Sequence, residues 1–292
     1  MNKLKVAAAQ MSSGSNKEKN LAQAKKLITL AVRKKARFIV LPEVFNYRGN
    51  LNEAVKFAES VPGYSTDLIS RLAKKYKIWI LIGSMLETAG AGPAHFVGEA
   101  RSFYERHDLP FNTSVLINPN GKIVTKYRKI HLFDIRLKGK EILESGRNQA
   151  GKNPKLAKIE NIKAGLSICY DLRFPELYRH YSRAGAKIIC IPSSFTRLTG
   201  EAHWHTLIKA RAIENLSYVI APNQAGIGSG GIKTYGHSLI VDPWGKILAE
   251  GPANGETVIF ADIDLEYLKQ VRKNLPALEH RKIFCLRNTN DE

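Results

Sequence analysis

Apolar runs of strand length alternate along this chain with segments of helical periodicity, and that alternation limits the folds open to it. KLKVAAAQ at 3–10 reads as a strand, and Ser15 with Glu18 forms a capping box. Leu21, Ala24, Ile28 and Ala31 then recur at helical spacing. A buried strand at 38–41 ends on Pro42-Glu43, and a helix over 66–76 leads into a strand at 78–83. Further strands are predicted at 164–169, 187–192, 218–223 and 257–263, with helices at 175–184, 202–215 and 265–274. TSVLINPNGKIVTKY and GHSLIVDPWGKILAE read as hairpins turning at 119–121 and 242–245. Such a chain is an α/β layered fold with mixed sheets. The strands are too many for one small sheet, so two stacked sheets with helices outside are expected. No linker or repeat divides the chain; one domain over 1–276 and a basic tail over 277–292 are expected.

The apolar run at 6–9 is too short for a secretory signal, and no stretch approaches the ~18 residues that span a bilayer. Three scattered cysteines (Cys169, Cys190, Cys285) make no disulfide framework. A cytoplasmic location without membrane attachment is expected. The 45 basic and 26 acidic residues leave a net charge of +19. Lysines fall in pairs and triplets on helix faces, without one tract of interleaved aromatics. That favours a solvated surface, then attraction of small anions, over nucleic-acid binding.

Two motifs are decoys. The run from Gly226 to Gly231 satisfies G-x-G-x-x-G, but a strand, not a helix, is predicted to follow, and no acidic residue sits about 20 positions on. His203 and His205 have i,i+2 spacing, which points their rings apart on a helix, so structural or substrate-lining roles are preferred to metal.

Three other positions share a topology. Glu43 closes FIVLPE, Lys129 follows a hairpin strand in KYRKIHLFD, and Cys169 closes GLSICYD. Ligands gather beyond the carboxyl ends of strands in α/β sheets, so Glu43 and Cys169 can meet in one cleft. Singly, each has a plainer reading: a helix cap, a surface charge, an inert buried thiol. Together they make a mechanism, in which a carboxylate deprotonates a thiol, the thiolate attacks, and an ammonium stabilises the oxyanion.

The segments LPE at 41–43, YRKIHLFD at 127–134 and GLSICYDLRFPELYR at 165–179 resemble the three catalytic signatures of the nitrilase, or carbon–nitrogen hydrolase, superfamily. The likeness continues through PSSFTRLTGEAHWHTLIKARAIEN and YGHSLIVDPWGKILAE. The resemblance implies a four-layer α-β-β-α sandwich, a homodimer or higher oligomer that could involve the tail, and no cofactor or metal. It further implies Glu43 as general base, Lys129 as oxyanion stabiliser, Cys169 as nucleophile and Glu144 as the residue positioning Lys129. The Tyr170 N–H would complete the oxyanion hole. Cys-Tyr-Asp-Leu-Arg-Phe, in place of Cys-Trp-Glu, is similar to amidases of α-keto acid ω-amides and deaminated glutathione, and FPEL leans toward the latter. In these enzymes the positions of Arg173, Phe195 and Thr199 line the pocket, and the arginine is available to a substrate carboxylate. The expected partners are thus a small amide and water. The segment at 88–108 is longer than in relatives and is expected at the active-site mouth or an oligomer contact. Competing readings are an N-carbamoyl amino acid hydrolase of the same fold, a Cys-His hydrolase using Cys169, His131 and Asp134, and a basic, non-catalytic binding protein.

Overall fold

The computed structural model describes residues 3–50, 53–90, 109–137, 140–228 and 231–282. One sheet runs in the order β16 (Thr257–Asp264), β1 (Lys3–Gln10), β2 (Phe38–Val40), β3 (Trp79–Glu87), β4 (Phe111–Ile117), β5 (Ile123–Arg128). The other runs β15 (Ile247–Glu250), β14 (Leu239–Val241), β11 (Tyr218–Ala221), β10 (Ile188–Cys190), β9 (Ile162–Leu166), β8 (Lys155–Ile159). Followed from β16 and from β8, both sheets pair in the same sequence: antiparallel, parallel, parallel, antiparallel, antiparallel. Two ribbons are separate: β6 (Asp134–Leu137) with β7 (Lys140–Leu143), and β12 (Ala225–Ile227) with β13 (Lys233–Tyr235).

The pleat explains the layering. Val6, Ala8, Phe38, Val40, Leu81 and Leu116 point into one core shared with the second sheet, which supplies Ala164, Leu166, Ile188 and Ile220. Their neighbours Ala7, Ala9, Ile39, Ile80, Ile82, Val115 and Ile117 point the other way. There they meet Leu21, Ala24 and Ile28 of α1 (Lys17–Arg33) and Ile69, Leu72 and Ala73 of α2 (Tyr64–Tyr76). Beyond the second sheet, Tyr178 and Tyr181 of α3 (Pro175–Arg183) and Trp204, Ile208 and Ala212 of α4 (Arg197–Asn215) join the shared core. A final helix, α5 (Leu265–Asn274), is capped by Asp264. The result is the α-β-β-α sandwich. Among the described residues no helix is long and apolar enough to cross a membrane.

Local corrections have local causes. The cap of α1 is Asn16, whose side chain accepts from the Lys19 N–H, rather than Ser15. Helix α4 starts at Arg197, five residues before the predicted 202. The strand expected to end on Cys169 ends at Leu166. Gly226 and Ile227 of the glycine-rich run belong to β12, which pairs antiparallel with β13, so the element that follows the run is a strand and not a phosphate-binding helix. Residues 91–108 of the long segment and 283–292 of the tail lie outside the described residues.

Candidate active site

Glu43 sits three residues past β2, where the chain turns over β3. Gly83 permits this: a Cβ there would lie 2.0 Å from the Leu41 carbonyl oxygen. Ser84 then fixes the turn, its Oγ accepting from the Val44 N–H (3.0 Å) and its carbonyl from the Phe45 N–H (3.1 Å). Val44 has φ +49°, a costly conformation for a β-branched residue that the surrounding bonds must hold. The Glu43 carboxylate is 5% exposed as a residue and fully claimed. Oε1 accepts from Lys129 Nζ and Asn112 Nδ2, both at 3.0 Å, and Oε2 accepts from the Ser194 N–H at 2.8 Å.

Lys129 follows β5 by one residue and donates its N–H to the Asn112 carbonyl (2.9 Å). Its Nζ bridges Glu43 and Glu144 Oε2 (2.8 Å). Burial pushes the ammonium pKa down, but the Glu144 and Glu43 carboxylates outweigh it and hold the pKa well above the usual lysine value. Burial likewise pushes Glu144 up, and Lys129, the Phe133 N–H and Asn112 bring its pKa below the carboxylate norm. All four donors to Glu144 are identified: Lys129 and Phe133 N–H (2.7 Å) on Oε2, Asn112 and Asn148 amides (both 3.2 Å) on Oε1.

Cys169 opens a 3₁₀ turn, Cys169–Arg173, with φ +47° and its N–H on the Pro192 carbonyl (2.9 Å). This left-handed step takes the thiol off the strand direction. Asp171, fully buried, holds the step: Oδ2 accepts from the Ile168 N–H (2.8 Å) and the Tyr127 hydroxyl (2.7 Å). Its Oδ1 contacts the His131 N–H (3.1 Å) and Nδ1 (2.7 Å). One carboxylate thereby joins the nucleophile turn to the 127–131 segment that carries Lys129. The first bond within the turn runs from the Asp171 N–H to the Ile168 carbonyl, which leaves the Tyr170 N–H free of it. Burial and Glu43 raise the thiol pKa well above the ordinary cysteine value, against Lys129 and the Ser194 N–H, which lower it. The Cys169 side chain is hydrogen-bonded to the Glu43 carboxylate.

Glu43, Lys129, Glu144 and Cys169 line a cavity of about 160 Å³ together with Tyr170, Phe195 and Thr199. Arg173 is not in that wall. Its guanidinium lies 5.7 and 5.6 Å from the Tyr170 and Phe195 ring centres, and Nη2 is 3.3 Å from His203 Nδ1. Two other arginines are in the wall, Arg48 and Arg147. Arg48 is committed to Ser13, Thr234 and Ala225 oxygens, and burial lowers its pKa to about 10. His131 faces Asp171 and stacks on Phe174, and Asp134 caps the Ser145 N–H, so neither serves Cys169 as a Cys-His enzyme requires. His205 lies outside the cavity, beside His237 and Glu250.

Asn112, Ser194, Asp171 and Arg147 were not singled out from the sequence. Asp171 and Ser194 fall inside the quoted signature segments, where position alone marked them; Asn112 and Arg147 carry no local signal.

The family model for carbon–nitrogen hydrolases matches residues 5–273. A deaminated glutathione amidase of Synechocystis sp. is 42% identical over 279 residues, 94% of this chain and 97% of that protein. Omega-amidase NIT2 of Xenopus tropicalis is 36% identical, over 97% of this chain and 96% of its own. Among solved structures, Saccharomyces cerevisiae Nit3 is 32% identical with a TM-score of 0.82, covering 97% of both chains. Caenorhabditis elegans NitFhit is 36% identical with a TM-score of 0.85, covering 97% of this chain and 66% of that one. The chain belongs to the carbon–nitrogen hydrolase family.

Proposed function

We propose that this protein is an amidase that hydrolyses small carboxamides bearing a carboxylate, of the deaminated-glutathione or α-keto acid ω-amide type, to acid and ammonia. The observation that carries the reading is the Cys169 side chain hydrogen-bonded to the Glu43 carboxylate beside Lys129, all three in one cavity wall. Glu43 takes the thiol proton as Sγ attacks the amide carbon. An ammonium has three N–H groups, and the two carboxylates use two. The third, with the Tyr170 N–H, receives the developing oxyanion. Collapse breaks the C–N bond, Glu43 returns the proton to the departing ammonia, and a thioester remains on Cys169. Glu43 then deprotonates water, which attacks the thioester, and the proton passes to the leaving thiol. Glu144 acts on this sequence by keeping Lys129 in place.

An anionic substrate is supported by the cavity wall. Among the described residues Arg147 has no carboxylate within ion-pair distance, and burial lowers its pKa although Glu144 and Asp134 oppose this. A guanidinium so placed is suited to a bidentate carboxylate. Arg173, one layer behind Tyr170 and Phe195, is the second candidate. The names of the relatives support the same substrate classes. A homodimer is supported by Ile213 and Trp244, 44% and 60% exposed on adjoining elements. A cytoplasmic setting is supported by Cys169 and Cys190, which are unpaired thiols.

The test is ammonia release from deaminated glutathione, α-ketoglutaramate, glutamine, N-carbamoyl-β-alanine and a simple nitrile. Turnover of either of the first two, lost in Cys169→Ala, is expected. Preference for the carbamoyl compound, or activity surviving in Cys169→Ala, overturns the reading. Arg147→Leu is expected to lower kcat/KM for the acid by about 10- to 100-fold relative to its neutral ester. If Arg173→Leu does so instead, the carboxylate partner is Arg173.

A further inference from the structure

Outside the cavity wall, three elements bring potential metal ligands together. His205 belongs to α4, His237 to the connection between β13 and β14, and Glu250 is the last residue of β15. His205 Nε2 lies 3.0 Å from Glu250 Oε1, and His237 Nδ1 lies 2.7 Å from the same oxygen. All three donor atoms fall within 4.8 Å of one another. We propose that His205, His237 and Glu250 form a binding site for a divalent first-row transition-metal ion, zinc by their ligand chemistry, that ties α4 to the β14–β15 hairpin.

The donor set decides the class. Two imidazole nitrogens and one carboxylate suit zinc and its neighbours, whereas magnesium and calcium take oxygen ligands. With metal–ligand bonds of about 2.0–2.1 Å, the corners of a tetrahedron lie about 3.3 Å apart. The two N···O separations must therefore widen by only a few tenths of an ångström. The ligands are also positioned from behind. His237 adopts φ +47°, donates its N–H to the Pro252 carbonyl (3.1 Å) and accepts Trp204 Nε1–H on its own carbonyl (2.7 Å). The Tyr235 ring covers His237 at 4.4 Å and meets His205 edge-on at 5.9 Å. Side-chain exposures of 33%, 25% and 36% leave an open approach, with water as the fourth ligand.

The i,i+2 spacing of His203 and His205 argued against metal within one helix. The partners of His205 in the folded chain come from other elements, His237 and Glu250. Without metal the same groups are a carboxylate shared by two imidazoles, and the experiment separates the two states.

The full-length protein, stripped with chelator, is titrated with zinc at neutral pH against a chromophoric competitor. One ion per chain is expected, bound more tightly than about 10 µM, with Tm raised by about 4 °C at a hundredfold excess over Kd. His205→Gln and Glu250→Gln, each checked for native circular dichroism, are expected to weaken binding at least thirtyfold. Cys169→Ala is expected to bind as the wild type does, and cobalt is expected to give a visible band without thiolate charge transfer. Binding that is unchanged in both the His205 and Glu250 variants overturns the site, as does binding lost in Cys169→Ala. So does the absence of one tight ion per chain. Magnesium binding in place of zinc overturns the class.

Discussion

Glu144→Gln tests the central network because the substitution keeps shape and removes one charge. Both oxygens of Glu144 face donors only: Lys129 Nζ and the Phe133 N–H on one, the Asn112 and Asn148 amides on the other. Either orientation of glutamine therefore sets an NH₂ against donors. Asn112 cannot resolve this by rotating, since its amide also serves Glu43. Breaking a buried pair by removing one partner costs about 3–5 kcal/mol, and the retained acceptor brings this to about 3 kcal/mol. At about 2.1 cal/mol/K per residue, 292 residues have an unfolding entropy of about 0.6 kcal/mol/K, so Tm falls by about 5 °C. Lys129, held by Glu43 alone, shifts from its place, and kcat falls about a hundredfold. The assays are calorimetry and steady-state ammonia release. A third readout distinguishes a charge effect from a packing defect. Lys129 lowers the Cys169 pKa, and with one carboxylate fewer beside it that lowering strengthens, so the thiol pKa drops. A variant with kcat within threefold of wild type, or with an unmoved thiol, refutes the role assigned to Glu144.

Three further outcomes are expected. Between about pH 6 and 9, ultraviolet thiolate absorbance assigned by difference from Cys169→Ala shows no titration; a step with a midpoint below about 8 contradicts the raised thiol pKa. Asp171→Asn, which turns an acceptor-only hub into one with an NH₂ facing donors, lowers kcat at least tenfold and Tm by several degrees; an unchanged Tm contradicts the hub. Stability falls with acid: burial opposes ionisation of Glu87, but Arg128, Lys126 and Thr113 bring its folded pKa below that of the unfolded chain. Its contribution is complete above about pH 4.3 and is lost as pH falls through the folded value, as is that of Glu144. Glu87→Gln should flatten that loss in thermal melts, and a parallel curve refutes the assignment.

How much of this was legible depended on where the signal lay. The hairpins announced themselves through PNG and DPWG, and the β4–β5 and β14–β15 pairs turn where those residues stand. The β6–β7 ribbon did not, since polar and apolar residues alternate only over Asp134–Leu137, four residues that make too short a run to read as a strand. Cys169 was expected at the end of a strand and stands in a left-handed turn beyond β9, because that turn depends on the Asp171 carboxylate and the Pro192 carbonyl, contacts that no strand pattern encodes. Ser15 and Asn16 are both sound caps, and only the entry angle of the chain chooses between them. Arg147 became visible as a candidate because Glu144 fixes the bend that follows it, the Arg147 N–H donating to the Glu144 carbonyl at 3.0 Å.

The Asp171 hub also bears on how the molecule opens. To release the Ile168 amide, a fluctuation must strip a buried carboxylate of the Tyr127 and His131 donors as well. Such an event separates the two sheets' contributions to the site at once, and it exposes Tyr127, a wholly buried member of the shared core. Local fraying of the nucleophile turn is therefore expected to cost far more than the loss of one backbone hydrogen bond. The amide hydrogens of Ile168 and His131, which donate to the same carboxylate, are expected to exchange together in hydrogen-exchange measurements. The reactive thiol is then guarded kinetically: reagents reach it through the cavity that admits substrate and not through transient breaks in the fold.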